Sequence, residues 1–167
     1  MNYNHELHHR RSIRLGEYDY SQAGAYFITI CTHDRSSIFG EIIDGEMINN
    51  NLGDIVRSRW DNLSKHHQNV ELDESVIMPN HLHGIIALHT TPPESSTPIS
   101  EIIRGFKTFS ARQINKIRDC KGVPVWQRNY YEQIIKTEQE LNNVKNYILN
   151  NPTSWDTDTN NTKCHNN

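Results

Sequence analysis

The stretch VIMPNHLHGII, residues 76–86, decides both the fold and the candidate site. It holds two histidines, His81 and His83, separated by one apolar residue inside a hydrophobic run. Because side chains alternate across a strand, a strand over 81–88 places both imidazoles on one face and turns Leu82 into the core. Buried histidines need partners. The pair is therefore either two satisfied core histidines or half of a metal site, and the stretch alone leaves both open.

The size of the chain predicts a single domain. Its 167 residues, 35% of them hydrophobic, suffice for one core. The sequence contains neither an apolar run long enough to cross a membrane nor a signal-peptide pattern, so we expect a soluble, cytoplasmic protein without a membrane partner. Three widely spaced cysteines argue against a disulfide framework.

Basic residues are concentrated in two places, although the formal net charge is −3. Residues 101–128 contain seven Lys or Arg and two Asp or Glu, and a second basic group lies within the first fourteen residues. A local basic surface on an acidic protein suits a phosphate backbone, but charge alone favours a solvated helix face. The candidate phosphate-binding residues are Arg10, Arg11, Arg14, Arg104, Lys107, Arg112 and Arg128.

Hydrophobic periodicity predicts the element order β, hairpin, α, β, β, α, β, α. Thr137 and Glu140 have the spacing of a capping box for the last helix, which should stop near Asn150 because Pro152 follows. Asp44-Gly45 between apolar runs is typical of a hairpin turn. The expected strands are 26–32, 70–78, 82–88 and 130–135, and the expected helices are 51–66, 99–117 and 137–150.

Without the hairpin and the last helix, this is the βαββαβ order of a ferredoxin-like split sheet. We therefore expect an α+β fold, with an antiparallel sheet, two helices on one face, and a C-terminal helix that reaches the free face. The domain should span residues 21–155. A basic arm at 1–20 precedes it, and an Asp/Thr/Asn-rich tail at 156–167 is expected to be disordered.

The last helix carries a second candidate pair, Tyr147 and Asn151. The two residues are four apart, so they share one side of the helix, at the edge of its apolar stripe. For an arbitrary helix, an ordinary boundary tyrosine and a helix-stop asparagine explain the two residues better than a functional role does.

Four blocks of sequence carry a resemblance through their order and spacing: GAYFITICT (24–32), VIMPNHLH (76–83), VWQRNYYE (125–132) and YILNNP (147–152). Together they resemble the REP-associated tyrosine transposases. These are relatives of the single-tyrosine HUH transposases that mobilise IS200-type insertion sequences. The resemblance covers about residues 10–155.

The resemblance implies a metal-dependent enzyme that nicks and rejoins single-stranded or hairpin DNA through a 5′-phosphotyrosine intermediate. His81 and His83 match the family's histidine pair, and Tyr147 matches its nucleophile. Asn151 stands where the insertion-sequence relatives have a glutamine metal ligand. The implied cofactor is Mg²⁺ or Mn²⁺, and the basic residues above would contact DNA phosphates. A homodimer and a monomer both remain open.

Several alternatives accompany this interpretation. Tyr130 and Tyr131 are rival nucleophiles on a predicted strand. A domesticated module could bind repeat hairpins without cleaving them. A rolling-circle initiator or relaxase uses the same chemistry but usually carries further domains. A zinc hydrolase needs additional Asp and His ligands, and an RNA-binding sheet needs exposed aromatic residues that 82–88 lacks.

Overall fold

The computed structural model describes residues 23–90 and 95–162. The expected N-terminal arm, with Arg10, Arg11 and Arg14, lies outside the described residues, as do residues 163–167 at the other end.

Six strands and four helices make up the described fold. The strands are β1 (Gly24–Cys31), β2 (Gly40–Ile43), β3 (Glu46–Asn49), β4 (Val70–Met78), β5 (His81–Leu88) and β6 (Tyr131–Ile135). The helices are α1 (Asn51–Asp61), α2 (Leu63–His66), α3 (Ile99–Ile117) and α4 (Glu138–Asn150). Two short 3₁₀ helices lie at His33–Arg35 and Trp155–Thr157.

The main sheet has the order β4-β5-β1-β6, and every neighbouring pair is antiparallel. With β2 and β3 set aside as a separate hairpin, this is the expected ferredoxin-like split sheet. The predicted α+β fold is therefore confirmed.

The two faces of the sheet pack against different helices. On one face, Ile28 of β1 and Leu82 of β5 join the large core with residues of α1 and α3. On the other face, Phe27 and Ile85 form a smaller core with Ile148 of α4. The alternation of side chains therefore sends Leu82 to the large core and its neighbours His81 and His83 to the face that α4 covers.

The hairpin and the first helix follow local sequence signals. Asp44 and Gly45 both take positive φ, 52° and 78°, as a two-residue hairpin turn requires. The Asn50 side chain caps α1 by accepting hydrogen bonds from the amides of Leu52 and Gly53. The single helix expected over 51–66 is divided at Asn62 into α1 and α2.

One half of the predicted capping box forms at the start of α4, because the Glu140 side chain accepts from the amide just before the N-cap residue Thr137. The amide of Glu140 donates to Oγ1 of Thr137 at 3.1 Å, and the amide of Lys136 donates to Oε2 of Glu140 at 2.7 Å. The helix ends at Asn150 as predicted. Asn151 nevertheless keeps αR angles (φ −60°, ψ −44°) ahead of Pro152 and remains on the helix surface as its C-cap.

The segment after Trp155 corrects one expectation. Residues 156–162 are not a disordered tail, because they continue the 3₁₀ turn at Trp155–Thr157 and return to the sheet. The Asn80 side chain donates to the carbonyl of Asn160 at 2.7 Å, and the Asn161 side chain donates to the carbonyl of Trp155 at 2.9 Å. Composition alone suggested disorder, whereas one long-range and one local hydrogen bond order the segment.

Within the described residues, none of the helices is both long enough and apolar enough to span a membrane.

Candidate active site

His81 and His83 lie side by side on β5, beneath α4. They are almost completely buried, with 0% and 2% of their surface exposed. Their ring centroids are 4.5 Å apart. The strand predicted from residues 76–86 therefore brings the two imidazoles together on one face.

The hydrogen bonds around His81 fix which ring nitrogen carries the proton. The Asn80 amide donates to the carbonyls of Arg35 (3.0 Å) and Asn160 (2.7 Å), so its Oδ1 is an acceptor. That oxygen lies 2.8 Å from Nδ1 of His81, which must therefore donate. A neutral His81 then presents the lone pair of Nε2, and Oδ1 of Asn151 lies 3.3 Å from it. Two facing acceptors favour a cation between them.

His83 has a comparable arrangement. Oγ1 of Thr29, on the neighbouring strand β1, lies 2.7 Å from Nδ1 of His83 and can accept its proton. Nε2 of His83 is buried and has no hydrogen-bond partner among residues 23–90 and 95–162. A buried acceptor without a donor is costly, and a bound ligand would satisfy it.

Both imidazoles are neutral near pH 7. Burial lowers the pKa of His81 from 6.5 to about 4, against a smaller opposing effect of the Asp158 carboxylate. Burial, and then the proximity of His81, hold the pKa of His83 well below its usual value. Neutral imidazoles are the form that binds metal ions.

An amide oxygen of Asn151 could join the two histidines as a ligand. In the part of the chain that the structure describes, no three His, Cys, Asp or Glu side chains come together. Asn151 is 2% exposed and directs Oδ1 at Nε2 of His81. Two imidazole nitrogens and an amide oxygen fit a divalent cation that keeps further positions open for water or phosphate oxygens.

Tyr147 on α4 faces the histidine pair. Its ring centroid is 5.2 Å from that of His83 and 6.0 Å, edge-on, from that of Phe27. The residue is 48% exposed, so Tyr147 lies at the surface of the protein. Burial, followed by the charge of Asp158, raises the pKa of Tyr147, and a hydrogen bond with Asn151 opposes this. Tyr147 therefore needs added positive charge nearby to ionise at neutral pH.

The rival tyrosines occupy different positions. Tyr130 packs against the large core on the opposite face, where its hydroxyl donates to Glu132 at 2.8 Å. Tyr131 pairs with Thr29 on β1 and shares the face of Ile135, so it lies on the α4 side. It is, however, two strands away from β5, about 10 Å between backbones. Among the tyrosines that the structure describes, Tyr147 is the one beside the pair.

The C-terminal segment borders the site, which sequence reasoning missed. The Trp155 ring is 6.0 Å from the ring of His81, and the charge of Asp158 acts on His81 and Tyr147. Thr29 and Asn80 were also missed as the residues that orient the imidazoles. Asn80 directly precedes His81 in the sequence, but the partner of His83 depends on the strand register.

The basic candidates are distributed over more than one surface. Arg104 and Arg112 are exposed on α3, and Arg128 is exposed before β6. Because α3 packs on the face of the sheet opposite α4, Arg104 and Arg112 lie on the other side of the sheet from Tyr147.

Lys107 corrects a prediction. Its ammonium is half-buried and donates to the carbonyls of residues 127, 128 and 129 at 2.9, 3.2 and 3.0 Å. These bonds use all three donors of a lysine. Lys107 is therefore a clamp on the connection to β6 and not a phosphate contact.

Comparison with known proteins identifies the family. The profile described as "Transposase IS200 like" matches residues 21–151. The chain therefore belongs to the IS200-like transposase family, and the resemblance inferred from the sequence is confirmed.

Individual proteins are also similar to this chain. An uncharacterised protein of Haemophilus influenzae is 43% identical over 176 residues, covering 93% of this chain and 95% of the relative. A second Haemophilus influenzae protein, provisionally named a REP-associated tyrosine transposase, is 26% identical over 144 residues, covering 80% and 73%. A solved REP-associated tyrosine transposase bound to a REP hairpin superposes with a TM-score of 0.60 at 19% identity, covering 86% and 74%, so the fold is shared.

Proposed function

We propose that this protein is a metal-dependent tyrosine transposase that nicks and joins single-stranded DNA at hairpin or REP-like repeats. The observation that carries the proposal is the position of Tyr147, whose ring lies 5.2 Å from the ring of His83, next to a buried imidazole nitrogen. A nucleophile beside an incomplete ligand set is the arrangement that metal-assisted phosphoryl transfer needs.

His81, His83 and Asn151 would hold the cation. When bound, a divalent ion neutralises the non-bridging oxygens of a phosphodiester and polarises its phosphorus. Asn80 and Thr29 keep the Nε2 lone pairs of the two histidines directed at the site. Such outer partners preserve ligand geometry and basicity.

Tyr147 would perform the covalent step. Its Oη loses a proton to solvent and attacks phosphorus in line, so that an Oη–P bond forms and the P–O3′ bond breaks. The released 3′ oxygen takes up a proton, and the phosphotyrosine retains the 5′ phosphate with its bond energy for rejoining. The half-exposed position of Tyr147 suits a strand that lies over the surface.

Hairpin DNA is the proposed substrate class. The support is the shared fold with a transposase solved in complex with a REP hairpin, together with the exposed Arg104, Arg112 and Arg128. These arginines would contact phosphates and set the register of the DNA without reading its sequence.

A covalent-adduct gel tests the proposal. Labelled single strands from the DNA that flanks the gene are mixed with protein and Mn²⁺ or Mg²⁺, denatured, and separated by size. We expect a metal-dependent protein–DNA band that Tyr147→Phe and the double variant His81→Ala/His83→Ala both lose.

Tyr131→Phe is the matched control, because it removes the same hydroxyl on the same face of the sheet. It should keep the band. Tight hairpin binding without any band would instead indicate a binding module that does not cleave, and would contradict the proposal.

A further inference from the structure

Phe109 is an exposed aromatic residue on the basic helix α3. It is 53% exposed, although the neighbouring Phe106 is 3% exposed in the core. With Gly105, Arg112 and Lys116 it forms a row at spacings of four, three and four residues, which is one flank of a helix. We call this row the Phe109 flank. It presents one aromatic ring followed by two cations.

An open cleft lies beside the Phe109 flank. It has a volume of about 230 Å³ between the α1–α2 region and α3. A Cβ built on Gly105 would meet no atom within 4 Å among the described residues. Glycine costs roughly 1 kcal/mol relative to alanine inside a helix, and packing does not require it here. Gly105 therefore keeps the cleft free next to the face of Phe109.

Two arginines, Arg112 and Arg59, lie near the cleft. The guanidinium carbon of Arg112 lies 5.9 Å from the centroid of the Phe109 ring. Arg59 and His66 line the opposite wall. A separate groove of about 530 Å³ is lined by Arg112, Lys116 and Lys121, with Asp119 as its acidic residue.

We propose that the Phe109 flank and its cleft bind an unpaired base of single-stranded DNA. The base stacks on Phe109, and its phosphates lie on Arg112 and Lys116. Aromatic rings within a basic groove are the usual platform for single strands, because every base offers a π-face. The inference rests on the proposed function, because that function is what supplies single-stranded DNA as the ligand. It adds a second contact surface on the side of the sheet opposite Tyr147.

The charges favour DNA over a second copy of this chain. A two-fold contact would place the same patch against itself. Arg59, Arg112 and Lys116 of the two copies would then face one another, and that repulsion opposes the small apolar gain from Phe109.

The test measures binding of a labelled oligothymidylate of about 20 nucleotides by fluorescence anisotropy. All variants carry Tyr147→Phe and are measured in EDTA, so cleavage cannot contribute. We expect Phe109→Ala to weaken binding about tenfold and Phe109→Trp to restore it. Ile117→Ala, which removes an equally exposed apolar side chain (55%) from the same helix, should leave affinity unchanged.

A second variant controls for the possibility that Phe109→Ala loses affinity through a folding defect. Gly105→Leu fills the cleft with a better helix former while Phe109 remains, and it should weaken binding to a similar extent. Wild-type affinity in both Phe109→Ala and Gly105→Leu would overturn the inference. A tenfold preference for oligouridylate over oligothymidylate would also overturn it. A dimer of this protein that Phe109→Ala dissociates and the other variants do not would overturn it as well.

Failure of the proposed function would look different. With Tyr147 restored and metal added, the control variant Ile117→Ala should form the covalent adduct as the parent protein does. A parent that forms no adduct would contradict the proposed chemistry and leave the anisotropy result standing.

Discussion

A buried ion pair connects the helix of Tyr147 to the edge of the sheet, and breaking it should destabilise the protein. Asp73 lies at a register shift in β4 between Leu72 and Ser75. Its side chain is 3% exposed, and Nζ of Lys145 on α4 lies 2.9 Å from its Oδ2. The other carboxylate oxygen accepts the amide of Glu74 at 2.8 Å. Lys145→Met would therefore leave a buried carboxylate with that one bond and no countercharge.

The expected cost follows from the burial of the two partners. Removing one member of a fully buried pair costs about 3–5 kcal/mol, because the remaining charge has lost its compensation. Lys145 is 25% exposed, so water reduces this penalty at its end. We expect Lys145→Met to lower the free energy of unfolding by about 2–3 kcal/mol. Lys136→Met, at an exposed position just before α4, should change it by less than about 0.5 kcal/mol.

Urea unfolding followed by tryptophan fluorescence measures both values. A second substitution separates the lost countercharge from general damage to α4. Asp73→Leu added to Lys145→Met removes the uncompensated carboxylate and should recover most of the loss. Equal stability of Lys145→Met and Lys136→Met would refute the reasoning, as would a double variant less stable than Lys145→Met.

Three further outcomes are expected. Gly84→Ala should destabilise the fold by about 2–3 kcal/mol in urea unfolding, because a Cβ there would lie 2.2 Å from Cζ2 of the buried Trp60; wild-type stability would contradict this packing. Thr29→Val should weaken Mn²⁺ binding about tenfold by calorimetry, since Nδ1 of His83 loses its acceptor; unchanged affinity would remove Thr29 from the site. Without metal, the free energy of unfolding should fall by about 3 kcal/mol from His81 alone as the pH falls from 6.5 toward 4. The reason is that the folded-state pKa of His81 is about 4, so in this pH range only the unfolded chain binds a proton at His81. The same pH dependence in His81→Gln would refute this.

Local patterns in the sequence predicted the elements and the two halves of the site. The alternation of side chains along a strand predicted that His81 and His83 lie on one face. The spacing of Thr137 and Glu140 predicted where α4 begins. Both signals depend only on residues a few positions apart, so they can be recognised in a single sequence. The split-sheet order followed from the succession of these elements.

Contacts between distant residues were not predictable in the same way. Thr29 meets His83 only because β1 and β5 pair in one register, and a shift of one residue would send Thr29 to the other face. Lys107 looked like a free cation on a basic helix, although the carbonyls of residues 127–129 surround it. The segment from Asp156 to Thr162 looked disordered by composition, because its hydrogen bonds to the sheet are not encoded locally.

The most direct test of the account is to identify the tyrosine that carries DNA. Trypsin cleaves after Lys145 and Lys163, so residues 146–163 form a peptide in which Tyr147 is the single tyrosine. Cleavage after Arg128 and Lys136 puts Tyr130 and Tyr131 together on residues 129–136. After metal-dependent reaction with hairpin DNA, nuclease trimming and mass spectrometry, we predict a 5′-phosphonucleotide on the 146–163 peptide. A nucleotide on the 129–136 peptide instead would contradict the account.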